Sequence, residues 1–550
     1  MGDGPVVATR EGMLRGLDLG GVLAFLGIPY AAAPEDAEFA RFGPPVPPRT
    51  WRGTRDATSP GPIAAQAPTG PGSLLPGDPL EQAEECRNLN IWTSGCDSAR
   101  RPVLVFIHGG GFLGGSGAST LYRGDRLARH GVVVVTLNYR LGALGFLAHP
   151  ELAYPGLAGC GNFGLADQLA ALRYVRSQIA AFGGDPENVT IFGESAGGMS
   201  VCDLLAMPAA RGLFRRAIVE SGVALAHRLD LAERLAEDLA RHLGLGRPRR
   251  DRLAQVPLAE LLAAQQELVR AFDEGVGVPF APVVDGGLLE RHPADLLAVG
   301  AGSRRADLLV GTNHDEFAFF SFLSGHANHV DDAGVEALVK RYLEAAGLAK
   351  TPPAREVVAL YRESLETGAS PKAVLDAFGT DWIFRLPLLR MVEAHAAHGG
   401  ATYCYRFDWR SPFGDGSLGA CHALELPFVF ARLDEPVVGL FAGSGAAAER
   451  LSEAIQQAWC AFARTGDPSS PVLGPWPRYV AEDRATMILD ARPRVERAPG
   501  ERTRQFFDPY FGRYGVGGPY EGARARSLAF LGETEDPGPE VGGGSPSAGT

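Results

Sequence analysis

The sequence Gly193-Glu194-Ser195-Ala196-Gly197 has the pattern G-x-S-x-G, in which a serine can act as a nucleophile. A sharp turn from a strand into a helix would hold that serine in a strained conformation and expose its hydroxyl. The two glycines fit such a turn, because the residues two before and two after the serine come into contact there. In isolation the pattern is equally consistent with an ordinary tight turn. The apolar strand before it and the helical pattern after it favour a nucleophile.

A second glycine-rich segment, HGGGF at 108–112, follows the apolar stretch Val103–Ile107. Consecutive glycines let backbone N–H groups approach a substrate oxygen closely. The N–H groups of Gly110, Gly111 and Ala196 can then form an oxyanion hole of three donors, each worth a factor of about 10²–10³ in rate. A flexible loop is the alternative for this segment alone. The serine motif later in the chain favours the oxyanion hole.

The elements that must position these groups are buried strands alternating with helices. Val103–Ile107, Val132–Leu137 and 188–192 are continuous apolar stretches, and 161–184 has apolar residues at helical spacing. Continuous rather than alternating apolar strands are typical of a parallel sheet covered on both faces. The pattern therefore predicts the α/β fold class.

Composition excludes several classes of protein. The chain has 550 residues, of which 45% are hydrophobic, and 52 basic against 64 acidic side chains give a net charge of −12. This balance argues against a nucleic-acid partner. The apolar runs are too short to span a bilayer, and the first residues do not resemble a secretory signal. The seven cysteines lack the spacing of a zinc site and are expected to be free thiols, which predicts a cytoplasmic protein without a metal.

Longer segments resemble the type-B carboxylesterases, a family that includes the bacterial para-nitrobenzyl esterases and the cholinesterases. The resemblance covers roughly residues 5–510 and is most specific in GGDPENVTIFGESAGG. It implies an α/β-hydrolase fold, with a large, mostly parallel central sheet flanked by helices and helical excursions that shape an active-site gorge. Other similar segments are GIPYA (27–31), EECRNLNIW (84–92), NYRLGALGF (138–146), GLFRRAIVESG (212–222) and ARTGDP (463–468).

The resemblance also implies a domain organisation. It predicts one hydrolase domain over residues 1–525, with helical excursions at about 225–275 and 330–400. Both excursions are rich in Ala, Leu, Glu and Arg at helical spacing. Residues 526–550 are rich in Gly, Pro, Ser and Glu and are predicted to be a disordered tail.

In this family the catalytic residues follow the chain order Ser…Glu…His. The segment 311–317 is similar to the family motif GTNxDEG, which implies that Glu316 is the acidic member and Asp315 the weaker candidate. Phe317 departs from the motif, where the family often has glycine, and this departure raises the question of pocket width. The segment 421–430 is similar to H-x-x-E-x-x-F-V-F, which implies that His422 is the base.

The mechanism that the resemblance implies is nucleophilic attack by Ser195, with His422 moving the proton and Glu316 orienting the imidazole. Glu194 resembles a family residue that helps to organise water and the histidine, although a buried polar partner inside the turn is an equal alternative. No cofactor and no metal is implied, the expected partner is a small-molecule ester, and the oligomeric state stays open. Cys86 is predicted to be free, because the disulfide-bearing relatives pair this cysteine with an earlier one that is absent here.

The predicted function is a serine carboxylesterase for small to medium esters. A specialised lipase, carbamate hydrolase or polyester hydrolase on the same scaffold is one alternative, and a non-catalytic binding module like some cholinesterase relatives is another. Retention of the nucleophile and its partners argues against the binding module. Five phenylalanines close in sequence to the site motifs are candidate walls for a modest acyl group, with core packing as the alternative role: Phe112, Phe317, Phe319, Phe320 and Phe322.

Overall fold

In the residues that the computed structural model describes, eleven strands form one large sheet. The described residues are 4–35, 40–67, 80–154, 159–272, 278–300, 306–324, 330–346 and 350–511. The strands in chain order are β1 Leu17–Asp18, β2 Leu23–Pro29, β3 Asn88–Thr93, β4 Arg101–Ile107, β5 Val133–Leu137, β6 Gly184–Glu194, β7 Arg216–Glu220, β8 Asp307–Asn313, β9 Thr402–Phe407, β10 Ala485–Leu489 and β11 Arg494–Arg497.

The centre of the sheet is parallel and its margins are antiparallel. From edge to edge the order is β11-β10-β9-β8-β7-β6-β4-β5-β3-β2-β1. All pairings from β10 to β5 are parallel, whereas β11 and the β1–β3 margin pair antiparallel to their neighbours. The large, mostly parallel sheet that the sequence predicts is therefore confirmed. Because parallel strands all end at the same edge, the turns after β4, β6, β7 and β8 meet there.

Helices cover both faces of the sheet. The longer helices are α1 Phe163–Gln178, α2 Ala196–Ala206, α3 Leu229–His242, α4 Leu258–Phe272, α5 Glu316–Ser324, α6 Asp332–Ala345, α7 Ala354–Ser364, α8 Pro371–Gly379, α9 Leu386–Ala397, α10 Ala446–Thr465 and α11 Glu501–Phe511. Shorter helical segments are Thr120–Tyr122, Asp125–Ala128, Gly142–Phe146, Pro150–Leu152, Ile179–Phe182, Pro208–Ala210, Arg250–Leu253, Pro293–Ala298, the π-helical Thr380–Arg385, Leu426–Val429 and Pro436–Ala442.

Among the described residues, short strands outside the large sheet form three small sheets. Val6–Ala8, Met13–Arg15 and Thr54–Asp56 pair near the start of the chain. Ile63–Ala64 pairs with Gln82–Ala83, and His227–Arg228 pairs with Val283–Val284.

The core is divided by the sheet. Along β4, Val103, Val105 and Ile107 join one buried cluster, whereas Leu104 and Phe106 join another. Successive side chains of a strand point to opposite faces, so these two clusters lie on the two sides of the sheet. A third cluster packs α6, α7 and α8 together with the π-helical segment. That cluster gives the second predicted helical excursion a core of its own.

Both predicted helical excursions are present as helices: α3 and α4 lie within 225–275, and α6 to α9 lie within 330–400. The predicted tail, 526–550, lies outside the described residues. None of the described helices combines the length and apolar character that a membrane crossing needs. All seven cysteines are unpaired, and Cys86 is fully buried, in agreement with the prediction for that thiol.

Candidate active site

Ser195 occupies the turn between β6 and α2. Its φ of 55° and ψ of −124° form a strained combination for a residue with a side chain. A Cβ atom at Gly193 would lie 2.6 Å from the backbone of Gly197, and one at Gly197 would collide with the carbonyl oxygen of Ile107. Both flanking positions therefore require glycine, for the reason that the sequence motif suggests. The turn leaves Ser195 partly exposed between buried neighbours.

Two backbone hydrogen bonds hold this strained turn. The Ser195 N–H donates to the Glu220 carbonyl oxygen on the neighbouring strand β7, at 2.9 Å. The Met199 N–H donates to the Ser195 carbonyl oxygen at 2.8 Å and so begins α2. The positive end of the helix dipole then points at the serine, where it favours a developing negative charge.

The glycine-rich loop after β4 lies against the serine turn. A Cβ atom at Gly109 would lie 2.6 Å from the Glu194 carbonyl oxygen and 3.1 Å from the Ser195 Cβ, so the two segments touch at a position without a side chain. Gly110 and Gly111 both have positive φ, 108° and 61°. Within the described part of the chain, their backbone N–H groups donate to no protein acceptor. The loop thus carries two unused donors beside Ser195.

Glu316 and His422 lie in contact although 106 residues separate them. Glu316 is the first residue of α5, and its Oε2 lies 2.6 Å from the His422 Nδ1. The other carboxylate oxygen, Oε1, accepts from the Ser221 hydroxyl at 2.5 Å and from the Asn313 N–H at 2.7 Å. Because three donors hold it and it is fully buried, the Glu316 carboxylate has a fixed orientation.

The second acidic candidate, Asp315, points elsewhere. Its carboxylate lies 2.9 Å from the His314 Nδ1 and accepts from the Ala420 N–H at 2.8 Å. Burial raises the pKa of Asp315, but these partners and Arg410 together lower it by more, so the net shift is downward. The structure therefore brings Glu316, and not Asp315, to His422.

Phe317, the departure from the family motif, packs away from His422. Its ring lies against Gly379, where a Cβ atom would overlap the ring, and its N–H donates to the Thr380 hydroxyl at 3.1 Å. The ring belongs to the helical cluster of α6 to α8. The bulky side chain is thus accommodated by a glycine on the opposing helix, α8, and leaves the neighbourhood of the imidazole to other residues.

The imidazole of His422 lies between two carboxylates. Its Nε2 is 3.1 Å from the Glu194 Oε1, on the side opposite to Glu316, and neither atom makes a hydrogen bond to another described residue. Burial lowers the pKa of His422. The charges of Glu194 and Glu316 and the hydrogen bond to Glu316 raise it by more, so the net shift is upward. In the described residues the Ser195 hydroxyl makes no hydrogen bond to a protein group, and catalytic hydrogen bonds commonly tighten only when substrate is bound.

Aromatic rings surround the remaining side of His422. Phe320 and Phe384 each have their ring centroids 5.0 Å from the imidazole, and that of Phe319 lies 6.3 Å away. Of the five phenylalanines singled out from sequence, only Phe319 and Phe320 reach this position. The others pack elsewhere: Phe112 against Phe146, Phe317 in the helical cluster and Phe322 against Phe413. Phe384 of the π-helical segment was not predicted, because only tertiary contact brings it to the site.

Comparison with known proteins identifies the family. The model of the carboxylesterase family matches residues 3–507. The chain belongs to the carboxylesterase family. The para-nitrobenzyl esterase of Bacillus subtilis (strain 168) is 39% identical over 511 residues, covering 92% of this chain and 98% of that protein. The phenmedipham hydrolase of Pseudarthrobacter oxydans is 35% identical over 504 residues, covering 88% of this chain and 95% of that protein.

Solved structures give the same result. A carboxylesterase of Geobacillus stearothermophilus superposes with a TM-score of 0.81 at 39% identity, covering 92% of this chain and all of that one. This carboxylesterase therefore has the α/β-hydrolase fold. It is a carboxylic ester hydrolase, and its substrates are small-molecule esters.

Sequence reasoning missed several polar residues of this esterase's site. Ser221 and Asn313, which hold Glu316, end or follow the neighbouring strands β7 and β8. Glu425, fully buried behind the site, accepts from the Asn313 side-chain amide at 2.5 Å. A polar residue at the carboxyl end of a buried parallel strand is a signal that could have identified Ser221 and Asn313.

The other histidines near the site motifs do not take part in this contact network. His108 is buried, stacks on Tyr139 and has a pKa lowered to about 4 by burial, so it is neutral. His314 pairs with Asp315. Within the described ranges, no group of three or more His, Cys, Asp or Glu side chains is arranged to hold a metal ion.

Proposed function

We propose that this esterase hydrolyses small to medium carboxylic esters through an acyl-enzyme on Ser195, with His422 as the base and Glu316 as its orienting partner. The observation that carries the proposal is the 2.6 Å contact between Glu316 and His422 beside a serine in a strained turn. Strained backbone at such a turn is a feature of functional sites.

In the proposed reaction the bond between the Ser195 Oγ and the ester carbonyl carbon forms as the hydroxyl proton moves to the His422 Nε2. The carbonyl oxygen becomes an oxyanion, which the N–H groups of Gly110, Gly111 and Ala196 stabilise. Collapse breaks the ester C–O bond, and His422 gives its proton to the leaving alcohol. Water, deprotonated by the same imidazole, then hydrolyses the acyl-serine. The unused N–H groups of the glycine loop support this assignment of the oxyanion hole.

The electrostatics support the role of His422. In the transition state the imidazole becomes an imidazolium ion inside a buried site, which is costly without a compensating charge. Glu316 supplies that charge at Nδ1, and Glu194 lies close to Nε2. Burial and Glu316 raise the pKa of Glu194, with a net upward shift, whereas a positive charge on His422 lowers it, so Glu194 ionises most readily when the imidazole is charged. We propose that Glu194 is an auxiliary group that stabilises the charged imidazole.

The aromatic surroundings of His422 support a preference for modest acyl groups. Phe319, Phe320 and Phe384 face the imidazole, and the rings of Phe320 and Phe384 stack at 5.8 Å. Such rings can bury a short apolar chain well but leave limited room for a long one. Long-chain lipids are accordingly expected to be poor substrates.

Ser195→Ala tests the proposal. This variant should lose nearly all turnover of p-nitrophenyl acetate, and the parent enzyme should take up one organophosphate per chain at Ser195. Ser200→Ala is the matched control, because Ser200 lies one turn further along α2 and only accepts from the Gln168 side chain. Labelling at another serine, or an active Ser195→Ala variant, would contradict the assignment. Faster turnover of long-chain triglyceride emulsions than of p-nitrophenyl acetate would contradict the proposed substrate range.

We also propose that residues 1–525 form a single domain followed by a tail, 526–550, and that the protein resides in the cytoplasm. The family match over 3–507 supports the single domain, and seven unpaired cysteines support a reducing compartment. The net charge of −12 supports the absence of a nucleic-acid partner. Limited proteolysis should trim the tail first and leave one resistant fragment; early cleavage within 225–275 or 330–400 would contradict a single domain.

A further inference from the structure

Glu220 is a buried carboxyl group that the proposed mechanism does not use. It ends β7 and is the register partner of Glu194 in the parallel pair β6–β7, so the two side chains point to the same face of the sheet. Its backbone carbonyl oxygen accepts from the N–H of Ser195 at 2.9 Å. Glu220 is fully buried. Its backbone therefore holds the serine turn, and its side chain lies on the same face of the sheet as that of Glu194.

The contacts of the Glu220 side chain are those of a neutral acid. Its Oε1 accepts from the indole N–H of Trp459 at 2.7 Å. Its Oε2 is buried and has no hydrogen-bond partner among the described residues. No lysine or arginine in the described part of the chain forms an ion pair with it. A buried carboxylate with one hydrogen-bond donor and no cation beside it is costly. A neutral carboxylic acid has no charge that such partners must compensate.

The groups that interact electrostatically with Glu220 are mostly acidic as well. Glu194 on β6 raises its pKa, and Glu425 interacts with both. The base of this cluster is the imidazole of His422, which interacts with Glu194. The titratable groups of this cluster are Glu194, Glu425, Tyr405 and Tyr122, which interact with Glu220, together with Glu316 and His422, which interact with Glu194.

We propose that Glu220 works as a neutral carboxylic acid and is a positioning residue for Glu194. Its proton lies on Oε2, because Oε1 is the acceptor of the Trp459 N–H. In this form Glu220 carries no charge, and it leaves the negative charge of the β6–β7 pair on Glu194 alone. Glu194 can then ionise when the imidazole of His422 becomes charged. The proposal rests on the roles proposed for Ser195 and His422.

The balance of forces on the carboxyl supports this protonation state. Burial raises the pKa of Glu220, the Trp459 hydrogen bond lowers it and Glu194 raises it, to a net value of about 8. Loss of the proton at alkaline pH would place a second negative charge beside Glu194. We therefore expect esterase activity to fall at alkaline pH because Glu220, and not His422, loses a proton.

The indole N–H of Trp459 reports the protonation of Glu220 without any turnover. In protein labelled with ¹⁵N-tryptophan, one of the six indole N–H resonances should move with pH between about 7 and 9. Trp459→Phe should remove that resonance, and Glu220→Gln should abolish its movement. Glu449→Gln, an exposed glutamate on the same helix, should leave it unchanged. If no indole resonance moves in this range, or the movement occurs below about pH 6, the proposal is overturned, even where Glu220→Gln does not fold.

The pH profile of kcat/KM separates a positioning role from a merely structural one. Glu220→Gln should remove the alkaline decline and leave the acid limb at the same pH, because a neutral amide replaces a neutral acid. If Glu220 were ionised, the substitution would remove a negative charge and move the acid limb down by about one pH unit, which would overturn the proposal. Failure of Ser195 as the nucleophile would leave the indole titration intact, so the two failures are distinguishable.

Discussion

Glu316→Gln should reduce kcat by a factor of about 10³–10⁴ while leaving the fold intact. In the native site the carboxylate faces the Nδ1–H of His422 at 2.6 Å and compensates the imidazolium charge. Opposite charges about 4 Å apart attract by about 4 kcal/mol at an effective dielectric constant of about 20, which corresponds to about 10³ in rate. An amide loses this attraction but occupies nearly the same volume.

The hydrogen bonds around Glu316 add a second effect. Ser221 and Asn313 both donate to its Oε1, so in Glu316→Gln the amide oxygen must take that position. The amide NH₂ then faces the Nδ1 of His422 and donates to it. This places the imidazole proton on Nε2, where the ring cannot accept the proton of Ser195. Loss of the correct tautomer in a comparable triad costs about 10⁴ in kcat.

The assay is kcat for p-nitrophenyl acetate, with the active enzyme counted by organophosphate uptake and folding checked by thermal unfolding. Asp315→Asn is the matched control, since Asp315 is bound to His314 and Ala420 and not to the imidazole. It should stay within about threefold of the parent, as for a group outside the reaction. A large loss in Asp315→Asn together with a nearly normal Glu316→Gln would refute the reasoning.

Three further predictions follow from individual contacts. Because Glu194 raises the pKa of His422, kcat/KM of the parent should rise with pH through about 6.5 or above. Glu194→Gln should move this acid limb of the profile to lower pH, and a move to higher pH would contradict the proposed electrostatics. Phe384→Ala removes a ring 5.0 Å from the imidazole. The variant should increase the ratio of kcat/KM for p-nitrophenyl octanoate to kcat/KM for p-nitrophenyl acetate by about tenfold or more. An unchanged ratio would exclude this ring from the acyl wall. In the parent, the buried guanidinium of Arg140 lies 2.7 Å from the Asp167 carboxylate, and Asp167→Asn removes that charged partner. The variant should lower the free energy of unfolding by about 3–5 kcal/mol in urea titrations. A loss below about 1 kcal/mol would show that the ion pair is dispensable.

The sequence predicts the parallel sheet well because its signals are local. β4 and β5 are continuous apolar stretches, and their observed bounds differ from the predicted ones by at most two residues. β6 is longer than predicted, because Gly184 at its start pairs with Arg101 beyond a register irregularity that no local pattern marks. The identities of Glu316 and His422 came from family resemblance. The contact between these two side chains depends on where the ends of distant strands meet, which depends in turn on the order of strands in the sheet.

Phe317 shows why a departure from a motif is informative only in three dimensions. A phenylalanine in place of the usual glycine suggests a narrower pocket as long as only the chain around it is considered. In the fold, the position opposite Phe317 is Gly379, which leaves room for the ring within the helical cluster. The imidazole instead meets Phe384, six residues after Phe378 on the same excursion and displaced by the π-helical segment Thr380–Arg385. The extra backbone residue in each π-helical turn changes which side chains of this excursion face the site. With Phe384 in the proposed acyl wall, the register of that segment contributes to the substrate range that we propose, as the residues of the catalytic motifs do.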